Sequence, residues 1–197
     1  MKVLIVSLYF PPAGGGGVQR PLKLATHLRA VPTSLAQGDA VELARIVLRA
    51  RLLPRRLLVP DENVPWLLTA IPAAKRIVRE HGIDVVVTTS PPNSVHLVGA
   101  AVQRATGAAW VADLRDSLIL HPHRRAESPL VRLKERTDHW VARLVARRAD
   151  AIVGVSAQIA GEARAAVAAT GGHAAALVAG HGVAAPAPAE GGRRRRQ

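Results

Sequence analysis

Short apolar runs alternate with stripes of apolar residues at helical spacing along most of this chain. Val3-Leu4-Ile5-Val6 is a continuous apolar run, the pattern of a parallel strand covered on both faces. Val85-Val86-Val87, Ala109-Trp110-Val111-Ala112 and Ala151-Ile152-Val153-Gly154-Val155 repeat it, and Ala175 to Val178 is a weaker fifth. Between the runs, Leu22, Ala25 and Leu28 predict a helix from about Val18 to Arg29. Val41, Ala44, Val47, Leu48 and Leu52 predict another, capped by Asp39 and ended by Pro54. A turn at Pro60 to Asn63 leads to a helix over about Trp66 to His81, stopped by Gly82, with Pro72 predicting a first turn later than Trp66. The helix after the second strand runs from Ser94 to about Thr106 and stops at Gly107.

Ser128 followed by Pro129 is a strong helix start, a capping hydroxyl and a proline at the first helical position. Leu130, Leu133, Trp140, Val141, Leu144 and Val145 then form the inward stripe. Ser156 caps a last helix to about Ala169. Strand–helix alternation of this kind predicts an α/β fold, a Rossmann-like parallel sheet with helices on both faces. Residues 1–183 form the expected domain. Residues 184–197, rich in Pro, Ala and Gly and ending in arginines, form an expected disordered tail.

Composition narrows the classes. A length of 197 residues suits one domain, and 49% apolar residues suit a globular one. Aromatics are only 3%, so Val, Leu, Ile and Ala must fill the core. The chain has no cysteine, which excludes a disulfide framework, a thiolate zinc site and a cysteine nucleophile. The net charge is +13, nearly all of it arginine. Two readings stand: an anionic partner, or a GC-rich coding bias that favours Arg and Ala over Lys. No apolar run reaches the ~18 residues that span a bilayer. The stretch from Lys2 to Phe10 is broken by Ser7 and lacks a cleavage site, so it reads as a buried strand rather than a signal peptide. The expected location is the cytoplasm, with peripheral attachment at the inner face of the membrane as a further expectation.

Ligands of open parallel sheets bind beyond the carboxyl ends of the strands, where topology places three polar loops. Gly14, Gly15, Gly16 and Gly17 lead into a helix and Arg20. Glycines admit a ligand close to the backbone, the helix N-terminus attracts an anion, and Arg20 is a bidentate phosphate donor. A tight structural turn is the competing reading. Ser90, Asn93 and Ser94 bring hydroxyls and an amide, although Ser94 alone reads better as a helix cap. Asp113 and Asp116 are candidate catalytic carboxylates, for hydrogen bonding sugar hydroxyls or as a base, with Arg115 between them to hold a phosphate or neutralise them. A structural ion pair competes equally. His121 and His123 are too few for a metal site. Trp66, Trp110 and Trp140 read as core or helix-packing residues.

These segments, in this order, resemble family 4 glycosyltransferases. The matching pieces are Lys2 to Ser7 with Tyr9-Phe10-Pro11-Pro12, Gly14 to Arg20, Pro60-Asp61 with Trp66, Ser90 to Ser94, Trp110 to Asp116, and Ala149 to Ser156. The resemblance implies one half of a GT-B fold, the N-terminal, acceptor-side domain of a two-domain transferase. It implies hexosyl transfer from a nucleotide sugar to a glycan or lipid-linked acceptor, with retention and without a metal or other cofactor. Two departures follow. Only about 30 residues with little strand character separate Ala30 from Pro60, so the sheet is expected to lack edge strands. No donor-binding C-terminal half follows Val183, so the chain is expected to be incomplete or inactive alone, with a complementary C-terminal domain chain as an expected partner. The alternative is a basic binding module for an anionic membrane or nucleic acid. No recognised nucleic-acid motif supports sequence-specific binding.

Overall fold

In a computed structural model, the structure describes residues 1–8, 16–27, 58–120 and 128–179. The predicted helix over 39–53, His121, His123 and the tail 184–197 lie outside these described residues. The strands are β1 (Val3–Val6), β2 (Val85–Ser90), β3 (Ala109–Leu114), β4 (Ala151–Gly154) and β5 (Ala175–Val178). All pair in parallel, in the order β1-β2-β3-β4-β5. The helices are α1 (Gly16–His27), α2 (Leu67–His81), α3 (Val95–Thr106), α4 (Pro129–Arg148) and α5 (Ala157–Thr170). The fold is thus α/β and Rossmann-like, as the alternation predicts.

Right-handed crossovers that step in one direction put their helices on one face. Accordingly α2, α3, α4 and α5 pack side by side in chain order. The sheet face they cover is set by alternation. Val86, Thr88 and Ser90 stand in register with Trp110, Ala112 and Leu114, and the last two with Ile152 and Gly154. All of these are buried. Val95, Val98 and Val102 of α3 and Val141 and Val145 of α4 close over them. Gly99 lets α3 lie flat on β3, because a β-carbon there would overlap the indole of Trp110.

Several local features follow the sequence closely. Ser128 Oγ accepts the Val131 N–H at 3.2 Å, and Ser156 Oγ accepts that of Ile159 at 3.3 Å, so α4 and α5 have the caps predicted for them. Gly82, Gly107 and Gly171 end α2, α3 and α5 in the left-handed conformation. Others differ. α2 starts at Leu67, just past Trp66 as expected and after a 3-10 turn over Val64–Trp66, but it runs through Pro72. Pro72 and Leu68 are both exposed, so the carbonyl that the proline leaves unbonded is on the solvent side. β2 and β3 extend to Ser90 and Leu114, beyond their apolar runs. Among the tryptophans, Trp110 is fully buried and Trp66 packs at the core edge, but Trp140 and Leu133 of the predicted inward stripe are each 49% exposed. Val141 and Val145 of the same stripe do turn inward. No described helix is long and apolar enough to cross a membrane.

Candidate functional site

The opposite sheet face is half-covered along most of its length. Val85, Val87, Ala109 and Val111 are only partly buried there, whereas Thr89 and Asp113, at the carboxyl end, are buried. The difference is Arg20. This residue of α1 reaches the face opposite the other helices and clasps Asp113. Its Nε donates to both carboxylate oxygens at 2.9 Å, and Nη2 to Oδ1 at 2.7 Å. Nη1 donates to the Ala179 carbonyl at 3.0 Å, beyond the end of β5. Thr89, the cross-strand neighbour of Asp113, adds an Oγ1–H donation to Oδ2 at 2.8 Å. The Arg20 and Asp113 side chains keep only 11% and 3% of their exposure. A carboxylate has about four acceptor sites, and these contacts occupy Asp113 on both oxygens.

Arg20 reaches the sheet face opposite α2 to α5 at the carboxyl ends of β2 and β3, the edge beyond which open α/β sheets hold their ligands. Gly16 and Gly17 form the first turn of α1, with no acidic residue in it; Gly14 and Gly15 lie outside the described residues. The Ser90 to Ser94 loop is built from within. Arg115 is buried, and donates from Nε to the Ser90 carbonyl at 2.7 Å and from Nη2 to that of Pro91 at 2.9 Å. Asn93 Nδ2 donates to Asp138 Oδ1 at 2.9 Å and to the Leu118 carbonyl at 3.3 Å. Ser94 does not cap α3 with its side chain. Its backbone N–H and its Oγ–H both donate to Asp61, at 2.8 and 2.9 Å, so that a carboxylate from the 60–63 turn sits at the start of α3.

Two groups stand apart from these networks. Asp116 is exposed and, among the described residues, has no hydrogen-bond partner. Ser90 Oγ is buried and likewise has none. Beneath the loop, Thr88 Oγ1 accepts the Trp110 Nε1–H at 2.7 Å and lies 2.9 Å from His96 Nδ1. His96 Nε2 is buried without a partner, and burial lowers the His96 pKa from 6.5 to about 3, which keeps the ring neutral.

The sequence points to the loops that meet here and to Arg20, Asp113, Arg115, Asn93 and Ser94 within them, but not to all of their partners. Thr89 and His96 belong to no motif, and Asp61 belongs to the Pro60-Asp61 piece without any sign that it meets Ser94. A polar residue two positions past Val87 is a signal for Thr89 only once the β2–β3 register is known. A shallow depression on α2, lined by Pro72, Lys75, Arg76, Arg79 and Glu80, lies on the helix layer and not at the strand ends. Among the described residues no group of His, Asp or Glu could hold a metal ion.

A five-stranded parallel sheet with helices packed on it is Rossmann-like and fits one half of a GT-B fold. The chain matches the Glycosyl transferase 4-like domain over residues 12–175, most of its length, and belongs to that family. No curated protein matches it significantly.

Proposed function

We propose that this chain supplies the acceptor side of a hexosyl transfer from a nucleotide sugar to a glycan or lipid-linked acceptor, and turns over no donor alone. The observation that carries the reading is the Arg20–Asp113–Thr89 array. It ties α1 to the ends of β2 and β3, so that the glycine-led N-terminus of α1 faces the same edge as Ser90, Arg115 and Asp116. In this reading Asp116 is the carboxylate that meets an acceptor hydroxyl, as hydrogen-bond acceptor or base. Asp113, with both oxygens engaged, holds α1 in place and acts through it. Ser90 Oγ offers a further contact from below. Gly14 to Gly17 and the α1 N-terminus face a donor diphosphate, whose negative charge the free N–H groups favour. Arg115 supports the loop and adds positive charge. Ser94 and Asn93 set its shape.

Transfer needs donor and acceptor held together, so a C-terminal donor-binding domain, on this or another chain, completes the cleft. A cytoplasmic location fits a nucleotide-sugar donor. The test is a titration of the chain with UDP-, GDP- and ADP-sugars and with candidate acceptors, followed by NMR, together with an assay of donor hydrolysis. Acceptor shifts that vanish in Asp116→Ala, with no hydrolysis, support the reading. Donor hydrolysis that survives Asp116→Ala and Asp113→Ala removes it.

A further inference from the structure

The outer face of α4 departs from the inward stripe predicted for it. Arg132, Arg136, Arg143 and Arg147 are all exposed, and Leu133 and Trp140 are each 49% exposed. At 100° per residue, these six and His139 fall within an arc of about 120°. The only acidic side chains of α4 are Glu135, which lies off this arc, and Asp138, which is buried against Asn93. Among the described residues none of the four arginines is ion-paired. The opposite side of the helix is anchored by Val141 and Val145, so the arc is held rigidly outward. From Arg132 to Arg147 it runs roughly 22 Å along the helix, at 1.5 Å per residue.

We propose that this face of α4 docks the protein on an anionic phospholipid surface. Charge complementarity selects an anionic partner. The apolar residues select a bilayer: Trp140 and Leu133, two turns apart on one edge of the arc, can enter the headgroup region while flanking arginines reach the lipid phosphates. A nucleic acid could stack on one indole but would leave Leu133 against a phosphodiester chain. α4 begins after the loop that follows β3, so its N-terminal end lies at the carboxyl edge of the sheet. Docking along α4 would set that edge beside the membrane, within reach of a lipid-linked acceptor. The inference does not depend on the transferase reading, and its test needs no activity.

The test is co-sedimentation of the full chain with phosphatidylcholine vesicles, with and without phosphatidylglycerol. Each cation near an anionic surface is worth about fivefold in binding, so Arg136→Gln/Arg143→Gln should weaken binding to the anionic vesicles at least about tenfold. Replacing Arg193 to Arg196 by glutamine should have the smaller effect. Brominated lipid should quench wild-type emission more than that of Trp140→Phe, since Trp110 is fully buried. The three side chains altered on α4, Arg136, Trp140 and Arg143, face solvent, and thermal unfolding checks that the variants keep the fold. No binding to anionic vesicles, equal binding by the α4 double variant, or equal quenching in Trp140→Phe overturns the proposal. So does tighter binding to single-stranded RNA that the same arginines carry.

Discussion

At the residue scale the structure turns on two buried polar groups with opposite histories. Asp113 is charged and fully partnered; His96 is neutral and half-partnered. Removing Arg20 would leave Asp113 as a buried, uncompensated carboxylate, a change that costs about 3–5 kcal/mol. Arg20→Ala should therefore lower stability by about that amount in urea unfolding, and Arg20→Lys should recover only part of it, because a lysine cannot reproduce the two-nitrogen clasp. A loss below about 1 kcal/mol would mean that the pair behaves as an exposed one. For His96 the sign follows from its lowered pKa. As pH falls below 6.5 the unfolded chain takes up a proton, while the folded chain does not until about 3. Stability is full above 6.5 and falls on acidification, by up to about 1.4 kcal/mol per pH unit. Between pH 6.5 and about pH 5 the wild type should lose about 2 kcal/mol more than His96→Gln, read from urea midpoints at each pH. The sequence named both ends of the Arg20–Asp113 pair as candidates, since one follows a glycine run and the other ends a strand. It could not show that they meet, because 93 residues separate them and only the sheet register brings them together. His96 gave no signal at all, being one polar residue in an otherwise apolar helix start.

At the element scale, legibility followed the physics that is local. The caps of α4 and α5 and the glycine stops of α2, α3 and α5 depend on a few adjacent residues, and they were readable as such. Strand ends were not: β2 and β3 gain Thr88 to Ser90 and Asp113 to Leu114 because ladder pairing continues after the apolar run stops. Nor was the rotation of α4. Leu133 and Trp140 fit a helical stripe as well as Val141 and Val145 do, and only packing against the sheet decides which pair turns inward. The closest helix–strand contact offers a direct check. Gly99→Ala would force a methyl into the Trp110 indole and strain its bond to Thr88. Overpacking of this kind costs about 1–3 kcal/mol, more than the stabilisation that alanine brings to a helix interior, about 1 kcal/mol at most. A thermal melt of Gly99→Ala should show net destabilisation; a raised midpoint would mean that α3 can lift from β3 freely.

At the scale of the whole molecule, the sheet is uneven from edge to edge and from face to face. Four helices seal one face, and on the other burial concentrates where Arg20 meets Asp113. Along the chain, β5 is the least covered strand described: Leu177 is 56% exposed and Val178 49%. Leu177 stands in register with Val153, on the half-covered face, next to a strand that pairs on one side with β4. An apolar strand with an exposed side chain is a site for association between copies. The high positive charge works against close approach, and salt weakens that repulsion by shortening the Debye length. Self-association should therefore rise with ionic strength, the reverse of binding to an anionic surface, which falls with it. Leu177→Lys places a charge on the strand and should abolish the salt-promoted association seen in sedimentation velocity. Its melting temperature should stay close to that of the wild type, because an exposed side chain contributes within about 0.5 kcal/mol. Association that persists unchanged in Leu177→Lys would move the contact away from β5 to another part of the surface.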